Sequence, residues 1–472
     1  MSRLRLPYLL LALLCLSVDP SGGESRGETA LRDTALTVRS GDSLSRIATR
    51  FLSASPSYTH GELMAEILRY NGLTSNMLQP DQQLLIPLRA ELPNNRSQAR
   101  SAEFEARGIY VNARTAGSSR VQELVDRFTA VGGNALVFDV KDRQGNLSYT
   151  SRVPLAIAID AGGEGAIQQP AKLIELLHQR QIHSIARLTC FYDARLAARR
   201  PDLVPFSRTN GGMWTEKGSP SWVDPSLPEV QTYLLDLLAE VAAMGVDEIQ
   251  LDYVRFPTEG DREDAVYAFD PELLPKHRII SDFLAKAAQL LEPTGVLLSA
   301  DIFGVVAWGR TPDVMSTGQK IEEMMPHLDV VSPMLYPSHF YGAFNRIENP
   351  VDCPYYFVYE GCRQLRQLAA AHGVAIRPWV QAFDYRVRDF DEEYIARQLQ
   401  GAEDAGALGW LLWNPASRYE EGMKAVARFH DANGDSALRQ ADGCPAPEME
   451  LPEEAATPCC SGELGAAFPV DE

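Results

Sequence analysis

The sequence predicts an α/β protein built on a (β/α)8 TIM barrel, preceded by a small βααβ domain. Three observations carry this. From Gly108 onward, strand-like apolar runs alternate with helical runs eight times over about 325 residues, the count and size of a closed parallel barrel. The stretch 226–254 shows the repeat unit whole. Val230, Tyr233, Leu234, Leu237, Leu238 and Val241 share one helical stripe; Ser226 and Glu229 have capping-box spacing, and Gly245 offers a stop. Ile249, Leu251 and Val254 then make a buried strand that Pro257 cannot continue. Finally, polar and aromatic residues stand at nearly every strand end, where parallel α/β folds place their chemistry. A doubly wound open sheet is the alternative. Against it, no Gly-x-Gly-x-x-Gly follows the first strand, and Gly162 to Gly165 lies in a loop without that context.

In chain order, residues 1–23 read as a secretory signal. Arg3 and Arg5 precede the apolar run Leu9 to Leu16, which is too short for a bilayer anchor, and small residues follow. The expected location is therefore secreted, periplasmic or cell-envelope, with no stable membrane insertion. Export permits disulfides. Residues 35–88 form a separate unit: alternation at Leu36 to Val38, a turn at Gly41-Asp42, a helix from Ser43, a second through Leu63, Ile67 and Leu68, and a last strand at Leu84 to Pro87. Residues 89–106 are a polar linker. Residues 107–433 are the barrel, and 434–472 an acidic tail without periodicity, read as disordered.

With 472 residues, 45% of them hydrophobic, the chain can bury a large core; its net charge of −19 argues against nucleic acid as a partner. Of seven cysteines, none are spaced Cys-x-x-Cys, and the eight histidines lack His-x-x-x-His spacing, so no metal site and no cofactor are expected. Cys190 reads as a buried free thiol. Cys353 and Cys362 flank an aromatic run, Pro354 to Gly361, and are the expected disulfide. Asn95-Arg96-Ser97 is a formal glycosylation sequon.

The strand runs are 108–113, 135–141, 183–191, 248–254, 296–304, 330–337, 375–383 and 408–414. Helices lie near 118–131, 170–181, 226–244, 275–292, 317–327, 359–373, 391–405 and 419–433. The second strand ends in Asp139 and Lys141. The third carries Arg187 and leads to Tyr192 and Asp193. The fourth carries Asp252 and Arg255, and the fifth Asp301. Tyr336 ends the sixth; Trp379, Gln381 and Asp384 belong to the seventh, Trp413 and Asn414 to the eighth. Trp222 and Asp224 precede the fourth repeat and rim the cleft or pack its loop. Tyr341, Phe344 and Tyr355 to Tyr359 form either a lid or a small core.

Aromatic faces stack on sugars, carboxylates and amides bind their hydroxyls, and two facing carboxyls perform glycosidic cleavage. Asp252 and Asp301, on adjacent strands at comparable depth, are the natural pair. Asp252, held ionised by Arg255 or Arg187, suits the nucleophile or base; Asp301, in apolar surroundings, suits the proton donor. Glu259 and Asp193 are rival acids. Asp139, Lys141, Arg187, Tyr192, Asp224, Arg255, Tyr336, Trp379, Gln381, Trp413 and Asn414 are the candidate substrate-binding residues.

Two resemblances follow. Residues 35–88 resemble the LysM module at Val38, Gly41-Asp-Ser-Leu44, Ile47-Ala48, Asn71, Leu73 and Leu84 to Pro87, departing at Asp81, where the family usually has Gly, and in the long connection Ser53 to Gly61. That implies binding to N-acetylglucosamine-containing glycans such as peptidoglycan. Residues 107–433 resemble a bacterial family of glycosyl-hydrolase-like barrels, distantly akin to α-amylase and α-galactosidase barrels, at Gly108-Ile-Tyr-Val, Phe138-Asp-Val-Lys-Asp, Ala186-Arg-Leu, Trp222-Val-Asp-Pro, Gln250-Leu-Asp-Tyr-Val-Arg-Phe-Pro, Ala300-Asp-Ile-Phe-Gly, Ser332-Pro-Met-Leu-Tyr-Pro and Pro378-Trp-Val-Gln-Ala-Phe. That implies a nucleophile at Asp252. The expectation is a secreted glycoside hydrolase held near cell-wall polysaccharide by its LysM module. The alternative is a non-catalytic carbohydrate-binding barrel anchored to the wall.

Overall fold

The structure, a computed structural model, describes residues 31–89, 103–163, 165–431 and 444. The predicted signal segment, most of the linker with its sequon, and the tail apart from Cys444 lie outside the described residues. The described residues fall into two compact units, 31–56 with 66–89, and 57–65 with the described residues from 103 onward.

In the first unit, Leu31–Thr37 pairs antiparallel with Gln83–Arg89. Ser43 caps the helix Leu44–Phe51, its hydroxyl accepting from Arg46 N–H at 3.3 Å. Asn71 ties the end of the second helix to the last strand. Its amide donates to Ile67 and Leu85 carbonyls, and its carbonyl accepts from Leu85 N–H, at 2.7–2.8 Å. Asp81 has φ +66°, a left-handed conformation that glycine adopts freely and aspartate tolerates.

The second unit is the predicted closed barrel. Its strands are β1 (Ala106–Val111), β2 (Ala135–Lys141), β3 (His183–Thr189), β4 (Glu248–Asp252), β5 (Leu297–Phe303), β6 (Val330–Met334), β7 in two pieces (Ala375–Ile376 and Trp379–Gln381) and β8 (Gly409–Trp413). Each pairs in parallel with the next, and β8 closes on β1. Pro378 lacks the N–H of a continuous ladder, which accounts for the break in β7. Gly108 permits close strand approach, since a Cβ there would lie 2.5 Å from the Leu411 side chain.

Most predicted helices occupy their places, as in Pro228–Ala242, Lys276–Leu291 and Glu392–Asp404. Several details differ. The helix before β4 starts at Pro228 with Leu227 as an uncapped N-cap; Ser226 bonds Asp224, and Glu229 is drawn away by Arg200 at 2.5 Å, so no capping box forms. The region 317–327 is broken into short turns around Ile321–Met324. The aromatic run begins the helix Pro354–Ala369 and is largely buried, with Phe344, Phe340 and Phe357 packed around Trp308: a small core. This placement also corrects the disulfide. Nine helical steps separate Cys353 from Cys362 by about 13 Å along the axis, beyond the reach of a bridge. Cys353 pairs instead with Cys444, and Cys190 and Cys362 are buried thiols. Among the described residues, no helix is long and apolar enough to cross a membrane.

Two buried layers result, one between strands and helices and one inside the barrel, where Tyr110, Val137, Ile185, Trp379, Leu411 and Trp413 meet. Alternation along β4 sends Glu248, Gln250 and Asp252 to the inside. Glu248 accepts from Arg377 Nη1 at 2.8 Å and pairs with His183 at 2.9 Å. Burial alone would raise its pKa; the Arg377 charge and the His183 hydrogen bond outweigh burial and hold it at about 2. Glu248→Gln is expected to cost about 3–5 kcal/mol at neutral pH by leaving Arg377 uncompensated. A depressed pKa gives stability that is present above the ordinary value of 4.5 and lost as pH falls toward about 2. The difference between the two proteins in urea midpoint should therefore shrink over that interval; a constant difference would contradict this.

Candidate active site

The carboxyl ends of the strands form a charged floor centred on Arg187 of β3. Its Nε and Nη2 donate to Asp252 Oδ2, Nε at 3.1 Å, and its Nη1 donates to Asp139 Oδ1 at 2.5 Å. Asp301 Oδ2 lies 4.0 Å from the same Nε. Tyr110 donates to Asp139 at 2.5 Å, and the backbone N–H of Tyr253 to Asp252 at 2.6 Å. Trp413 stacks on Tyr110, with the guanidinium 5.1 Å from its ring. The two acids proposed as a pair thus share one compartment. The cation holding Asp252 is Arg187; Arg255 makes no such pair.

Asp301 accepts from Trp379 Nε1 at 2.7 Å. Burial pushes its pKa well above the carboxylate range, and the Asp252 charge pushes the same way. Asp139 is also raised, by burial opposed by Arg187. The floor is narrowly open: the side chains of Asp252 and Asp139 are 6% and 8% exposed, that of Asp301 only 1%.

Above β4 to β6, at the same end of the barrel, lies a cleft of ≈ 820 Å³ counted out to its open mouth. Tyr192, Trp222, Tyr253, Phe303, Tyr336 and Phe340 supply aromatic wall, and Arg143, Arg255, Glu216 and Glu259 supply charge. Tyr253, immediately after Asp252, has φ +50°, a strained conformation of the kind that clusters at functional sites. Tyr192, Arg255 and Tyr336 of the expected substrate-binding set line this cleft; Asp139, Arg187 and Trp413 belong to the floor.

The others are engaged elsewhere. Lys141 is fully buried between Asp193, at 2.9 Å, and the Thr189 carbonyl. Asp193 also caps a short helix through Leu196 N–H, so it is structural and no rival acid. Asp224 accepts from Ser226 and from Ala268 N–H. Gln381 receives Ser338 N–H and donates to Phe383 and Tyr385 carbonyls. Asn414 bridges Ala382, Ala416 and Arg418 backbone. Trp379 is buried and serves Asp301, while Asp384 is exposed. Glu259 lines the cleft, 2.5 Å from Lys217. Sequence reasoning missed Glu216 and Arg143, which sit in loops without periodicity, and Tyr110, whose inward alternation with Ala106 and Gly108 was readable.

Residues 108–419 match the family designated "Putative glycosyl hydrolase domain", and residues 36–87 match the LysM domain. No curated protein matches the chain. Among solved structures, a hypothetical protein from Ruminiclostridium thermocellum is 36% identical over 41% of this chain and 96% of its own, with a TM-score of 0.37. The Bacillus cereus spore cortex-lytic enzyme SleL is 14% identical over 84% of this chain and 98% of its own, TM-score 0.39. A GH20 exo β-N-acetylglucosaminidase from Vibrio harveyi is 12% identical over 86% and 72%, TM-score 0.44.

The protonation of Asp301 is testable. A carboxyl whose folded pKa is raised gives stability that is full below its unfolded value, near 4, and is lost as pH rises through the folded pKa. Asp301→Asn keeps an acceptor for Trp379 and does not titrate. Relative to the native protein, this variant should gain up to about 1.4 kcal/mol per pH unit above pH 4. Parallel pH–stability curves for the two proteins would refute the assignment.

Proposed function

The chain belongs to the family designated "Putative glycosyl hydrolase domain", with a LysM domain before it, and from that premise we propose that the barrel cleaves glycosidic bonds in a polysaccharide, with cell-wall glycan as the substrate and the LysM domain holding it nearby. Residues 1–23 support action outside the cytoplasm, secreted or in the cell envelope. One observation carries the catalytic reading: two carboxyls at the ends of adjacent strands have opposite electrostatic settings. Asp252 lies against a guanidinium and a backbone N–H, while Asp301 is driven toward its neutral form. A carboxylate beside a carboxylic acid is what acid-assisted displacement at a sugar carbon requires. In this reading Asp252 attacks or activates water, and Asp301 delivers its proton to the leaving oxygen. Arg187 keeps Asp252 oriented, and the aromatic cleft seats the flanking sugars.

A second reading is favoured by the same floor. Arg187 occupies two of the three carboxylates, and Asp301 is almost sealed, as suits a barrel that binds carbohydrate without cutting it. Reducing-end release from peptidoglycan, chitin and α-glucans separates the two. Asp252→Asn and Asp301→Asn are each expected to lower the rate by about 10²–10⁴-fold, the usual contribution of a positioned acid or base. Hydrolysis by the Asp252→Asn protein at the native rate removes Asp252 from the chemistry. Binding without hydrolysis on every substrate selects the second reading.

A further inference from the structure

Arg255 is 8% exposed, yet among the described residues no carboxylate lies within 4.0 Å of it. Its guanidinium is fixed between aromatic rings, 5.0 Å from Trp222, 5.2 Å from Tyr253 and 4.7 Å from Phe303. Its Nη1 donates to the Phe256 carbonyl at 3.0 Å and reaches Thr258 Oγ1 at 3.5 Å; among the described residues its Nε and Nη2 have no hydrogen-bond acceptor, and the residue lines the cleft. Burial disfavours this charge and lowers its pKa. Arg143, in the turn after β2, lines the same cleft and likewise lacks a carboxylate within that distance among the described residues.

Two unpaired guanidiniums on an aromatic-walled cleft ask for an anion from the ligand, because a buried charge is costly until it is paired. The cleft's own acids do not supply it. Glu259 is held by Lys217; Glu216 is pushed toward its neutral form by burial and by Glu259, against the opposite pull of a Trp222 hydrogen bond and of Arg255, and both acids act on Arg255 only from beyond 4.0 Å. A planar carboxylate matches the guanidinium fork in shape as well as charge.

We infer that the cleft selects a glycan bearing a carboxylate on its sugar, which docks on Arg255 and Arg143. The inference rests on the reading of this end of the barrel as a glycan site, and it names the substrate class. Such a carboxylate has two sources, a uronic acid or the lactyl ether of a muramic acid freed of peptide.

The test is equilibrium binding to the full chain. The probes are oligogalacturonate, the same oligomer with its carboxyls reduced to alcohols, and peptidoglycan glycan strands stripped of peptide, with and without carboxyl reduction. The native protein is expected to prefer the carboxylated member of at least one pair by about tenfold or more, the scale of one charge-assisted contact; which pair shows it identifies the source. Arg143→Gln, on a half-exposed turn where folding is not at issue, should reduce the preference, and Arg255→Met abolish it. The readout is the ratio of affinities for the carboxylated and reduced members of a pair, whatever either variant does to binding of the reduced oligomer, and the LysM contribution cancels between variants. No preference in either pair, or equal loss for both members, overturns the inference. Failure of the hydrolase reading looks different: the preference persists, but no reducing ends appear. Conversely, equal cleavage of acidic and neutral glycans keeps the hydrolase and removes the acidic-sugar selection.

Discussion

The contact on which the upper barrel depends is the Arg187 guanidinium set between Asp139 and Asp252. Three inward-facing carboxyls from β2, β4 and β5 converge here, and without a cation their mutual repulsion and burial would oppose closure of the ring. Arg187 answers Asp139 and Asp252 with directed bonds and reaches Asp301 only at 4.0 Å. That inequality makes the acids different from one another. Sharing a single cation, Asp252 receives the charge-assisted bonds, and Asp301 is left with burial and a like charge beside it. Chemical asymmetry therefore arises from packing geometry, with identical side chains at both positions.

The same logic runs down the barrel axis. Below Asp252, Gln250 donates to Ser332, and below that Glu248 meets Arg377 and His183. A barrel lined only by Val, Ile and Leu would be filled more simply. Here polar rows cross the interior from β4 to β3, β6 and β7, so several strands are registered by directional bonds in addition to their ladders. Each such pair contributes little net stability if made well and costs several kcal/mol if broken, which favours one register over its neighbours.

Function divides between floor and cleft. The floor holds the ionisable pair with hardly any exposed surface, and the cleft over β4 to β6 has the area, the aromatic wall and the unpaired cations. Tyr253 joins them: its N–H fixes Asp252, while its ring faces the cleft from a strained backbone. Tyr253 therefore lines the cleft, while its chain neighbour Asp252 belongs to the floor.

Much of this was legible in the chain. Alternating periodicities placed all eight strands, because apolar spacing is a local property that survives without tertiary context. Position near the carboxyl ends of the strands pointed Asp139, Arg187, Asp252 and Asp301 to one end of one enclosure, and the LysM turns were readable from Gly41-Asp42 to Asn71. What the sequence left open was decided by contacts between distant segments. Arg187 rather than Arg255 took Asp252, since Tyr253 turns the chain and carries Arg255 into an aromatic box. Lys141, Asp224, Gln381 and Asn414, at equally suggestive strand ends and rims, were consumed by loop backbone and by Asp193. Cys353 found Cys444 instead of Cys362, because helix formation from Pro354 separated the nearer pair. Local pattern fixes where a side chain starts and which way it faces; its partner depends on loop positions set by long-range packing, and no spacing in the sequence encodes those.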